Sequence, residues 1–206
     1  MKSKRVSRGF ESIDHGCLIP RYLLKLWRFT GVLASLLACC TIAVSIYFNP
    51  WFNFFKHAFS DLGGPRAHLP WLFNLGLVTT GAIACIYSLY LAYVGRGKLD
   101  VFCSALLFTA GISLALIGIF PTPSRYHVFV SAWFFVQMWL SLMSYAINFG
   151  VKKELRTFTL LLAVSVAGPA AAIAIEHLVK WPSTASIEAY GIALINMGII
   201  TLTMKY

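Results

Sequence analysis

Residues 101–120 read VFCSALLFTAGISLALIGIF, from Val101 to Phe120, with no Lys, Arg, Asp or Glu among them. As a helix this stretch is about 30 Å long, the thickness of a bilayer's hydrocarbon core. Its apolar residues run continuously and do not alternate with period 2, so it is not a barrel strand. Five more stretches have the same character: roughly Trp27–Phe48, Trp71–Val94, His127–Phe149, Thr157–Leu178 and Ile187–Met204. None has a charged residue at its middle. The breaks between the six are Asn49-Pro50, Gly95–Gly97, Pro121–Pro123, Lys152–Glu154 and Trp181–Ser183, all turn formers or charge clusters.

Composition agrees. Of 206 residues, 59% are hydrophobic and 12% charged, against about 45–50% and 25% in soluble domains. A soluble chain of this size has nowhere to bury so much apolar surface. An ordinary soluble enzyme, a disordered chain and a nucleic-acid-binding module are excluded, despite a net charge of +10. The expected fold is all-α: a polytopic six-transmembrane-helix bundle, residues 27–206, behind a basic tail, residues 1–26.

Orientation follows the basic residues. Of the 17 Lys and Arg, only Lys56, Arg66, Arg125 and Lys180 fall on one side of the bundle. The other 13, seven of them in or just after the tail, sit on the other. This predicts a multi-pass protein of the cell membrane with both termini cytoplasmic. The first apolar run is too long for a signal peptide's h-region, and no small-x-small cleavage site follows it, so it reads as an uncleaved anchor. Cys17 lies in the tail and Cys39, Cys40, Cys85 and Cys103 within spans, with no metal-ligand spacing among them. No internal repeat is evident. That absence, and the lack of ionisable groups at mid-membrane, disfavour a transporter.

The polar chemistry collects on the sparsely charged outer side. His57, His68, His127 and His177 fall there, with Asp61, Glu176 and Glu188. In the loop after the first span, Trp51, Phe54, Phe55, Ala58 and Phe59 recur at helical spacing, which predicts a short interfacial helix over Trp51–Phe59. It runs into Ser60-Asp61-Leu62-Gly63-Gly64-Pro65. Ser60 and Asp61 either face the bundle mouth or cap backbone N–H groups. His127 opens the fourth span, either facing the mouth or bonding a carbonyl. Pro169 predicts a kink in the fifth span, and Glu176 and Lys180 stand i, i+4, in ion-pair register. Glu188, starting the sixth span, complements the helix dipole.

Phe59-Ser60-Asp61-Leu62-Gly63, then Phe73-Asn74-Leu75-Gly76-Leu77, then Gly111 … Gly118-Ile119-Phe120-Pro121 … His127 and Glu176-His177-Leu178 form a set. This set resembles the domain-of-unknown-function 998 family of archaeal and bacterial membrane proteins, over about Gly31 to Met204. It is distantly similar to the eukaryotic FRAG–DRAM–SFK membrane proteins, which have six spans, a Ser-Asp-x-Gly loop and a His opening the fourth span. Those proteins are associated with lipid remodelling, lipid organisation and autophagy. The resemblance implies a six-span fold and a site region at Ser60, Asp61, Asn74, His127 and Glu176. Where the family usually has Arg after that Glu, this chain has His177.

Two functions compete. In the first, the protein is not a catalyst: it binds or organises membrane lipids, and Asp61, Arg66, Arg125 and Glu176 tie the outer loops together. In the second, it is a membrane-embedded hydrolase or transferase acting on a lipid at the outer leaflet. Ser60, Asp61, His127 and Glu176 would then be its catalytic groups, with acid–base chemistry between Asp61 and His127. Alternatively His57, Asp61, His127 and His177 would hold zinc. Oligomeric state is not encoded in any pattern found here.

Overall fold

The computed structural model describes residues 20–206, with Arg21 described by its backbone only. The basic tail up to residue 19, with His15 and Cys17, lies outside the described residues. Six helices among them are long and apolar enough to cross a membrane: α1 Tyr22–Tyr47, α2 Pro70–Val94, α3 Lys98–Ile119, α4 His127–Val151, α5 Leu155–Leu178 and α6 Thr184–Lys205. The protein is an all-helical, multi-pass membrane protein. The links 95–97 and 152–154 and residue Tyr206 lie at one end of the bundle, here the tail end. The links 48–69, 120–126 and 179–183 lie at the other, the loop end.

Each boundary has a local cause. Pro70 stands in the first turn of α2, where its missing N–H costs nothing. Gly97 precedes α3, and Asp100 accepts the Gly97 N–H at 3.0 Å. Ser183 caps α6 by accepting from Ser186 N at 3.1 Å. A single turn residue, Phe29, interrupts α1. α5 loosens into a π-turn over Ala163–Ala167, immediately before Pro169. The proline ring clashes with the carbonyl four residues back, and the wider turn relieves it.

Small residues set the closest packing. A β-carbon on Gly81 would stand 2.5 Å from the Gly111 carbonyl oxygen, and one on Gly118 would stand 2.3 Å from that of Asn74. The α2 and α3 backbones therefore touch along their length, as membrane helices do where glycine permits. The outward faces carry leucines such as Leu36, Leu75 and Leu178. In lipid this costs nothing.

At the tail end, side chains bind backbone across helices. Trp27 Nε1 donates to the Ile86 carbonyl at 2.7 Å, and Arg28 Nε to that of Thr203 at 2.6 Å. The Tyr87 and Thr203 hydroxyls pair at 2.8 Å. These contacts fasten α1, α2 and α6 together.

The first loop departs from the periodicity. A short helix does stand between the first two spans, but it is a 3₁₀ helix over Phe59–Gly63. Before it, from Trp51 to Ala58, the chain makes turns and irregular structure instead. The reason is local competition for backbone groups. Asn53 Oδ1 accepts from Phe55 N at 2.9 Å, and His57 Nδ1 accepts from Asn53 N at 2.8 Å. Those N–H groups are spent before a helix can use them.

Candidate functional site

Asn49 closes the first loop. Its amide donates to the Ser45 carbonyl at 2.8 Å and to the His68 carbonyl at 3.2 Å. Its oxygen accepts from His68 N at 2.6 Å and Trp51 Nε1 at 2.9 Å. Both ends of the loop are thus held by one buried side chain. Arg66 lies over the Trp51 ring, 4.6 Å from its centre.

The loop is folded onto the start of α6. Ser183 Oγ donates to the Phe54 carbonyl at 2.6 Å, and Ala185 N to the His57 carbonyl at 2.9 Å. Two carboxylates cap the 3₁₀ helix: Asp61 accepts from Ala58 N and Glu188 from Phe59 N, at 2.9 and 2.8 Å. Asn74 donates to the Gly63 carbonyl at 3.0 Å. The ties between outer elements are therefore Asn49, Asn74, Ser183 and Glu188. Arg66 stacks on Trp51 as described, and Arg125 lies over the ring of Tyr126.

Beneath this plug the bundle holds a cavity of about 140 Å³. α1, α2, α3, α4 and α6 line it; α5 does not. Its walls are apolar, with Leu77, Ile117, Phe134, Met138 and Ile195 among them. On α2 the lining runs from Phe73 through Leu77, Thr80 and Ala84 to Tyr87. At 1.5 Å per residue that face is about 21 Å long. At the loop end the walls include Phe59, Ser60, Ser131 and Glu188.

The predicted site residues are divided by this geometry. Ser60 lines the cavity, and among the described residues its hydroxyl has no hydrogen-bond partner. Its neighbour Asp61 is engaged in the cap. His127 is buried, 7% exposed, and stands behind the wall. Its Nδ1 pairs with the Phe120 carbonyl at 2.8 Å and its Nε2 faces Ser131 Oγ at 3.5 Å. Glu176 and His177 are exposed at the end of α5, away from the cavity lining, and Glu176 accepts from Trp181 N at 3.4 Å. His57 is engaged within its own loop. Among the described residues no group of three or more His, Cys, Asp or Glu side chains is placed to hold a metal ion. The four residues considered for zinc are thus not gathered as a set.

Ser131 was not legible as a site residue, because one serine in an apolar run carries no pattern. The available signal was its i, i+4 spacing from His127, which puts both on one helix face. Glu188, read as a dipole partner, instead joins loop, helix and cavity.

A second polar cluster, also unforeseen, lies at the tail end. Asp100 is fully buried. Its carboxylate accepts from Asn148 Nδ2 at 2.6 Å, Lys152 Nζ at 2.6 Å, Gly97 N and the Tyr206 hydroxyl. Burial and then the bond to Asp100 push the Tyr206 hydroxyl above its ordinary range, so it stays a donor. Next to this cluster the Ser104 and Tyr145 hydroxyls pair at 2.7 Å. Four donors meet one carboxylate, so the cluster is a structural clasp between α3, α4 and Tyr206.

A family model described as "Protein of unknown function (DUF998)" matches residues 32–205. Comparison with curated proteins gives no match, and neither does comparison with solved structures.

Proposed function

The chain belongs to the DUF998 family, and from that premise we propose that it binds a membrane lipid by inserting one hydrocarbon chain into the cavity. The observation that carries this reading is the shape and chemistry of the lining. A volume near 140 Å³, drawn out along about 21 Å of α2, is a narrow slot. An engineered pocket of similar volume holds one benzene ring, so the empty space seats a short segment of a single chain, and the side chains along the slot part to admit the rest. The length exceeds the roughly 15 Å of one leaflet's hydrocarbon layer, so an acyl chain entering from one leaflet fits within it.

Polarity sets the direction. Ser60, Ser131 and Glu188 are at the loop end, so the lipid's polar part lies there and its chain points toward Tyr87. With the basic tail on the cytoplasmic side, that end faces out of the cell, and the lipid comes from the outer leaflet of the cell membrane. The role is lipid binding or organisation.

The test is photocrosslinking in vesicles containing a phosphatidylcholine with a diazirine on one acyl chain. Crosslinks are expected on cavity residues such as Leu77, Met138 and Ile195, and Ala84→Phe should abolish them by filling the slot. Crosslinks confined to outward residues such as Leu36 and Leu75, and unchanged by Ala84→Phe, overturn the reading.

A further inference from the structure

We propose that Ser131 and His127 are the nucleophile and base of an acyl-ester hydrolase, whose substrate is a lipid ester with its acyl chain in the cavity. The proposal rests on the lipid-binding reading above and adds a reaction to it.

The geometry starts with the Phe120 carbonyl. A carbonyl oxygen only accepts, so the proton on the neutral His127 ring must be on Nδ1, 2.8 Å away. Nε2 is then left with a free lone pair. That lone pair faces Ser131 Oγ at 3.5 Å. Such contacts are commonly long before substrate arrives. A base held in one tautomer by a second group, and aimed at a hydroxyl, is the arrangement that activates a serine. Here the orienting group is a backbone carbonyl in place of a carboxylate.

The setting fits the chemistry. Ser131 is part of the cavity wall at its polar end, and His127 is behind it, shielded from the chain. A lipid whose acyl chain fills the slot toward Tyr87 places its ester linkage at the level of Ser60 and Ser131. No other histidine ring among the described residues pairs with a hydroxyl of the lining: His57 accepts from Asn53 N, and neither His68 nor His177 is part of the wall.

The reaction balances with water as the second substrate. Ser131 Oγ bonds to the ester carbonyl carbon while its proton passes to His127 Nε2. The bond from that carbon to the lipid alcohol breaks, and the departing oxygen takes the proton from Nε2. Water then adds to the acyl carbon, giving a proton to Nε2. The bond to Ser131 Oγ breaks, Oγ recovers that proton, and a free fatty acid leaves.

The test uses the full chain in detergent and a fluorophosphonate bearing a long alkyl chain. Labelling should map to Ser131 by peptide mass spectrometry. Ser131→Ala should abolish it, and His127→Gln, whose amide takes no proton, should slow it at least 10-fold. Thr159→Ala, on α5, which does not line the cavity, should leave it within about 2-fold. Release of free palmitate from a palmitoyl ester should follow the same order, and Ser131→Cys should restore part of it. Gel-filtration elution of each variant as wild type shows that folding is not the cause. A wild-type protein that shows diazirine crosslinks in the cavity yet neither labels at Ser131 nor releases acid overturns the hydrolase and leaves the binding reading standing. Loss of the cavity crosslinks in wild type overturns the binding reading itself.

Discussion

Asn74 donates its side-chain amide to the Gly63 carbonyl at 3.0 Å, and its own oxygen occupies the space where a β-carbon on Gly63 would be, 2.1 Å away. The two halves of the family motif, on the loop and on α2, are therefore one contact. It seals the 3₁₀ helix onto the top of the bundle, over the cavity.

Gly63→Ala should break that seal. The new methyl group must displace Asn74, and the Gly63 carbonyl loses its donor. The expected cost is about 1–3 kcal/mol, read as a lower melting temperature in detergent. An unchanged melting temperature would show the seal to be dispensable.

Asn49→Ala should act on the loop and spare the bundle. Four hydrogen bonds join this side chain to Ser45, Trp51 and His68. Without them the loop is held by its contacts with α6 and by the Asn74–Gly63 bond to α2. Hydrogen exchange of residues 49–69 should speed up at least 10-fold, while the spans keep wild-type protection.

In the tail-end clasp, Asp100→Asn should cost more than Lys152→Met. The Asn replaces a fully buried carboxylate and sets an amide N–H₂ against other donors, at about 3–5 kcal/mol. Lys152 is 36% exposed beside a side chain that is 1% exposed. Water screens its charge, and Asp100 keeps three donors without it, so about 1–2 kcal/mol is expected. Thermal melts in one detergent give the order; a reversed order would refute the clasp.

The pair between Lys205 and Glu154 offers a contrast. Both side chains are over a third exposed. Lys205→Ala should shift stability by less than about 1 kcal/mol, and less still in high salt.

Much of this architecture was legible in the sequence. The six apolar runs became the six spans, and Asn49-Pro50 and Pro121–Pro123 mark real ends, because length and desolvation leave the chain few alternatives. What failed was whatever depends on partners distant in sequence. Asp100 sits one residue before an apolar run, where nothing in the local sequence marks it out. Its burial depends on Asn148, Lys152 and Tyr206, which no local pattern announces. The loop aromatics gave a helical period, but Asn49, Asn53 and His57 redirect the backbone groups that a helix needs. The fold divides the candidate site residues. Ser60 reached the cavity, Asp61 became a cap, and Glu176 and His177 stayed outside because α5 does not line it.

The clasp also has a timetable. A chain emerges from the ribosome N-terminus first. The partners of Asp100 follow it by 48, 52 and 106 residues. Until Asn148 follows, the newborn third helix holds its carboxylate at the edge of the bilayer with only the Gly97 N–H as donor, and the set is completed when Tyr206 arrives. A product broken off between Asp100 and Asn148 would carry that under-satisfied charge as a mark of its incompleteness.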